Sequence, residues 1–199
     1  MKLLPLITSA GAALALALPA AAHEQTYFAS LDGATEIPAN TSSGVGTALF
    51  TVDLDLLTMR VQASFADLSG TTTASHIHCC TATPHANNVG VATQLPTFAA
   101  FPLGVTSGTY DQTFDMSLAS SYNPAFVTAQ GDVSNAFGAL LAGMGSGNAY
   151  YNIHTTTFPG GEIRGLINPV AAVPEPQSYA LIGVGLGVVG WIGRRRRPA

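Results

Sequence analysis

Three histidines carry the most specific chemistry in this sequence: His76, His78 and His154. His76 and His78 are separated by one residue. On an extended strand, both imidazoles leave the same face with their Cα atoms about 7 Å apart. Such a pair can chelate a borderline ion such as copper or zinc. His154 stands in a second extended run, on the face opposite Tyr151 and Ile153. His85 lies in a Pro/Asn loop after the pair, and Cys79 and Cys80 follow His78 directly. The segment thus offers imidazole ligands with two soft ones beside them.

The same residues admit plainer readings. Buried histidines need hydrogen-bond partners, and Asn152, Glu162 or Arg164 could serve, holding loops together without any ion. Cys79 and Cys80 are the only cysteines. Exported proteins usually oxidise such a pair, but neighbouring Cα atoms lie closer than an ordinary disulfide spans. A vicinal disulfide, intermolecular pairing and thiolate ligation all stay open at this point. His23, were it a mature N-terminus, could hold copper through its amine and ring, provided a second histidine stood near.

Strands must position these groups. Met59, Val61, Ala63 and Phe65 alternate with Arg60, Gln62 and Ser64, and Phe50, Val52 and Leu54 alternate with Thr51, Asp53 and Asp55. A period of two marks half-buried antiparallel strands, and the 55–58 link between these runs suits a hairpin. Further strands are expected over 25–31, 72–79, 90–95, 109–118, 149–155 and 162–168. Pro159-Gly160-Gly161 supplies a tight turn before the last. One region departs from this pattern: Asn123 before Pro124 reads as an N-cap with proline at the first helical position. Ser134 is placed to cap a second helix, with Phe137, Leu140, Leu141 and Met144 at helical spacing. The expected fold is mainly β: an antiparallel immunoglobulin-like sandwich or related barrel with one or two short inserted helices.

Composition excludes some functions. From His23 to Val173, two arginines and no lysine stand against ten acidic residues. A nucleic acid is a row of negative charge that needs basic side chains to displace its counterions, so no nucleic-acid partner is expected. No nucleophile motif, phosphate loop or telling carboxylate pair is present, and the reading is of a chain that is not an enzyme.

The termini read as addresses. Lys2, an apolar run from Leu3 to Leu18 and Ala20-Ala21-Ala22 form the three parts of a secretory signal, which predicts a signal peptide over 1–22 and a mature start at His23. The remainder divides into a β domain over 23–172 and a tail over 173–199. The tail opens with Val173-Pro174-Glu175-Pro176, continues as an uncharged stretch from Gln177 to Gly193, and ends in Arg194-Arg195-Arg196-Arg197 before Pro198 and Ala199. The 17-residue stretch would reach about 25 Å as a helix. Snorkelling arginines can extend it to the width of a bilayer, and the positive-inside rule puts the β domain outside.

This tail resembles the PEP-CTERM sorting signal. The resemblance implies processing by an exosortase after signal peptidase has acted, transient inner-membrane anchoring through the C-terminal helix, and delivery to the envelope, surface or exterior of an exopolysaccharide-producing bacterium. The β domain resembles the CHRD (chordin-type) domain in three segments. These are Phe28–Pro38 before Gly44 and Gly46, Ala74-Ser75-His76-Ile77-His78, and Tyr151–Thr155 with Phe158–Gly165 after it. That resemblance implies an immunoglobulin-like or related β-fold and no established activity. Cys79-Cys80 stands where many members have Gly and Pro. The first expectation is therefore a surface- or matrix-associated binding or adhesion module with exopolysaccharide or matrix as partner. Tyr27, Tyr110, Tyr122, Tyr150 and Tyr151 are its available sugar-stacking aromatics. The alternative is a metal-binding (copper or zinc) or redox protein built on His76, His78 and His154, with His85, Cys79 and Cys80 as further ligands.

Intact mass of the mature protein should begin at His23 and lack the arginine cluster. Replacing Pro174, Glu175 and Pro176 together should leave export intact and block tail processing. A mature protein that keeps Arg194–Arg197 would leave a simple anchor instead.

Overall fold

A computed structural model describes residues 23–171 and 184–185. The signal-peptide reading over 1–22, the Val173–Pro176 motif and the Arg194–Arg197 cluster lie outside the described residues, as does nearly all of the apolar tail. Among the described residues, no helix is long and apolar enough to cross a membrane.

The chain forms one antiparallel curled sheet, a half-barrel, with two short helices. Its strands are β1 (Glu24–Asp32), β2 (Val45–Asp53), β3 (Thr58–Ala66), β4 (Thr72–Cys79), β5 (Gly108–Asp115), β6 (Ala149–Thr155), β7 (Ile163–Leu166) and β8 (Asn168–Pro169). They run in the order β4-β6-β7-β1-β2-β3-β5, and β8 pairs with β1. Of the two architectures expected from sequence, the structure takes the barrel-related one: a single sheet curls around its own core.

The alternating patterns set that curl. Tyr27, Ala29 and Leu31 of β1, Phe50 and Val52 of β2, and Met59, Val61, Ala63 and Phe65 of β3 are all buried on the concave side. Their register is continuous, with Phe50 opposite both Tyr27 and Val61. Burying each of the larger of these side chains contributes roughly 1.5–3 kcal/mol, and a slip of one residue would turn them all to solvent. β6 adds Tyr151, whose ring meets Phe50 edge-on at 5.6 Å between centroids.

The helices close the core beside β6. α1 (Pro124–Gln130) is capped by Asn123, whose side chain accepts from the Ala125 N–H, as its sequence predicts. α2 (Val133–Ser146) is capped by Asp132, which accepts from the Asn135 N–H at 2.7 Å, so Ser134 lies inside the helix. A carboxylate at that position also meets the positive end of the helix dipole. Leu140 and Met144 face inward, and Gly147 ends the helix in a left-handed conformation.

One expected strand is absent. Residues 90–95 lie in the long connection 80–107 and make only two isolated bridges, His78 to Val91 and Thr93 to Tyr122. Scattered bonds replace a ladder here: the Ala92 N–H donates to Ile77 O at 2.9 Å, and Thr93 Oγ1 accepts from the Ile77 N–H at 2.9 Å. Pro96, which has no N–H to give, ends the segment.

Glu162 fastens the loops at one end of the half-barrel. Its buried carboxylate accepts from the hydroxyls of Ser42, Ser69 and Thr155 at 2.5–2.6 Å and from the Ser69 and Gly70 N–H groups. Burial pushes its pKa up, but these hydrogen bonds outweigh burial and hold it below the usual carboxylate value. A depressed folded pKa contributes stability at pH values above the unfolded pKa of about 4.3, and that contribution is lost as pH falls through the folded value. Glu162→Gln should therefore lower stability at neutral pH by about 1–3 kcal/mol and flatten the acid limb of a stability–pH curve. An unchanged acid limb would contradict this role.

Candidate metal centre

The chemistry collects on the convex face of β4, β6 and β7. Ile77, Cys79, Tyr151 and Ile153 are buried in the core, so alternation sends His76, His78, Tyr150, Asn152 and His154 to the other side of the same strands. β4 and β6 are antiparallel neighbours with Ala74 opposite His154, His76 opposite Asn152 and His78 opposite Tyr150. β7 then places Arg164 opposite Asn152.

This register brings the three histidines together. Ring centroids are 5.2 Å apart for His76 and His154, 5.9 Å for His76 and His78, and 6.1 Å for His78 and His154. One ring nitrogen from each lies within 4.8 Å of those of the other two. A tetrahedral ion with bonds of about 2.0–2.1 Å needs its ligand atoms somewhat closer, within reach of small side-chain rotations. His76 is 5% exposed, His78 8% exposed, and His154 half-buried. His76 is thus the least exposed of the three, although it stands on the face of β4 turned away from the core.

Each ring is held by a backbone carbonyl. His76 Nε2 meets Pro96 O at 2.6 Å, His78 Nδ1 meets Val89 O at 2.7 Å, and His154 Nδ1 meets Pro159 O at 2.9 Å. A carbonyl only accepts, so the facing nitrogen must carry the proton and the other must carry a lone pair. Those other nitrogens are His76 Nδ1, His78 Nε2 and His154 Nε2, and all three are buried without a hydrogen-bond partner. These bonds are what the loop-tying reading of the histidines calls for, with backbone carbonyls in place of Asn152, Glu162 or Arg164 as partners. They are also the bonds that orient metal-binding imidazoles. The orphaned lone pairs are what a loop-tying role leaves unexplained.

Electrostatics favour neutral rings at His78 and His76. Burial lowers the His78 pKa to about 4, against an upward pull from the Val89 carbonyl, and His76, His154 and Arg164 add to the lowering. Burial likewise lowers His76. Arg164 lies 3.8 Å over the Tyr150 ring, and Tyr150 stacks on His78 at 4.7 Å with an 8° tilt. Arg164 itself is paired with the buried Glu36 at 3.0 Å and bonded to Asn88.

The other sequence candidates lie elsewhere. Cys79 and Cys80 form a vicinal disulfide, so neither is a free thiolate. Their sulfurs pack on Ala139 O and on Gly143 of α2, because Cys79 alternates with His78 and faces the core. His85 is exposed and packs against Gly147; it is not in the three-histidine group. His23 is exposed and faces Asp55 at 3.4 Å. Tyr27, Tyr110, Tyr122, Tyr150 and Tyr151 are all buried, which removes them as sugar-stacking platforms. Sequence reading left unassigned the Pro96, Val89 and Pro159 carbonyls, whose roles have no side-chain signature, and treated Asn152 only as a hydrogen-bond partner.

Fold and site together define a mainly β domain with three imidazoles gathered on one sheet face. The CHRD domain model matches residues 27–167, and the chain belongs to the CHRD domain family. The PEP-CTERM protein-sorting motif matches residues 172–197, so the protein carries a signal for export to the cell envelope or surface and for exosortase processing. No curated protein and no solved structure gave a match.

The hydrogen bonds specify tautomers that NMR can read. Long-range ¹H–¹⁵N spectra of the metal-free domain at neutral pH should show His78 and His154 protonated at Nδ1 and His76 at Nε2. The reverse assignment at any of the three would mean that the carbonyls do not orient the rings.

Proposed function

We propose that the exported domain is a non-enzymatic metal-binding module of the cell surface, holding one zinc or copper ion on His76 Nδ1, His78 Nε2 and His154 Nε2. Two observations support this reading: the three rings each offer a nitrogen within 4.8 Å of the others, and each ring keeps a buried nitrogen without a partner. A buried acceptor without a partner costs about 1–3 kcal/mol, and an ion would satisfy all three at once. Three neutral nitrogens suit zinc and copper(II). The oriented rings lower the cost of assembling the site. The alternative matrix-binding reading draws its support from the sorting motif, since the tyrosines offered for it are buried.

The metal would also tie the fold together. The carbonyl partners come from the 80–107 connection and the 156–162 turn, so an ion on these rings is coupled to both loops. Elemental analysis of the mature domain, expressed in the periplasm, should find one equivalent of zinc or copper. His76→Ala and His154→Ala should each lose it, and metal loading should raise Tm in the parent alone. A parent domain that binds neither ion with better than millimolar affinity would overturn the reading.

A further inference from the structure

Asn152 shares the sheet face of the three histidines, and its side-chain oxygen is not accounted for by holding the fold. It is 1% exposed, directly opposite His76 on β4 and two residues before His154 on β6. Its strand neighbour on the same face, Tyr150, is stacked on His78. Directly opposed residues on one sheet face have Cβ atoms about 4.5–5.5 Å apart, so the Asn152 and His76 side chains are direct neighbours on that face.

The amide has a defined orientation. Its Nδ2 faces Glu36 Oε1 at 3.5 Å, the only arrangement that offers a donor to that carboxylate. Glu36 is in turn locked by Arg164. Gly161 secures the pair from the third side: its φ is +132°, and a Cβ there would strike both Glu36 Oε1 and Asn152 Nδ2. The opposite prong, Oδ1, is buried and has no hydrogen-bond partner. Four orphaned acceptors therefore share this one sheet face: three imidazole nitrogens and one amide oxygen.

We infer that Asn152 Oδ1 is the fourth donor of the centre, which makes it a closed N3O site with no position left for a substrate or exogenous ligand. The inference rests on the three-histidine reading and deepens it. Closed four-coordinate sites are structural, whereas catalytic ones keep a position open. A donor set of neutral nitrogens and oxygen, with both sulfurs tied up on the far side of the sheet, also favours divalent zinc or copper over soft monovalent ions. Glu36 and Arg164 then act as positioning residues: the carboxylate takes the Asn152 amide N–H, and the guanidinium holds the carboxylate.

Cobalt(II) is the probe, because its visible bands report coordination number. The mature domain loaded with cobalt should show the intense bands of a four-coordinate ion, unchanged by added azide. Asn152→Ala should bind at least tenfold more weakly and give a spectrum that azide alters, as a vacant position would. Circular dichroism without metal checks that this variant folds. If it does not, azide on the parent domain decides the matter alone: a shift there means an open position and overturns the inference. An Asn152→Ala variant that folds and keeps the parent affinity and spectrum overturns it too. Failure of the underlying site looks different: either the parent takes up no cobalt or His76→Ala retains it.

Discussion

Everything specific about this domain depends on the antiparallel pairing of β4 with β6. That ladder fixes His76 against Asn152, and it sets His78 and His154 on the diagonals around them. A shift of one residue would send the histidines into the core and Ile77 and Tyr151 to the outside. The apolar residues on the concave face hold the register. Their burial is far more favourable than any polar contact on the convex face, so packing decides where the imidazoles stand. The convex face inherits its geometry from the core beneath it.

The loops then convert placement into orientation. Pro96 and Val89 in the 80–107 connection and Pro159 in the 156–162 turn present carbonyls to the outer nitrogens of the three rings. Two of these residues are prolines, which lack an N–H and leave their carbonyls without a regular ladder to join. The Glu162 carboxylate holds the neighbouring 42–43 and 69–70 segments and Thr155 in place, and the Glu162 N–H returns to Ile153 O at 2.8 Å. A conformation that satisfied the outer nitrogens but left the inner ones unpaired is hard to explain by fold stability alone.

Much of this was legible in the sequence, for identifiable reasons. Period-two alternation in Met59–Phe65 and around His76–His78 is a direct consequence of the pleat, so both strands and the shared face of the two histidines could be read. The expected 149–155 strand put His154 on the face away from Tyr151, and the structure agrees. The stretch 90–95 failed because Val91, Ala92 and Thr93 have strand-like composition while tertiary contacts replace a ladder with the Thr93 hydroxyl and isolated bridges. Ser134 failed as a cap because Asp132, two residues earlier, combines a side-chain acceptor with a charge favourable to the dipole. The cysteines could not be fully placed from spacing alone. The expected 72–79 strand already turns Cys79 away from His78; what spacing could not give is that Cys80 joins it in a disulfide packed on α2.

The buried Glu36–Arg164 pair is the remaining constraint, and its position gives it meaning. Removing two charges from water costs several kcal/mol per ion before their attraction and hydrogen bonds offset it, so such a pair is a poor choice for stability alone. Here the carboxylate faces the Asn152 amide and the guanidinium lies over Tyr150, whose ring backs His78. Each charge is thus one side chain away from the candidate centre. A well-packed apolar replacement could stabilise the sheet at least as well, but it would leave the Asn152 amide free to turn and remove the cation behind the Tyr150–His78 stack. The pair is a rigid backing that fixes the Asn152 amide and supports the Tyr150–His78 stack, at an energetic cost the core of the half-barrel can bear.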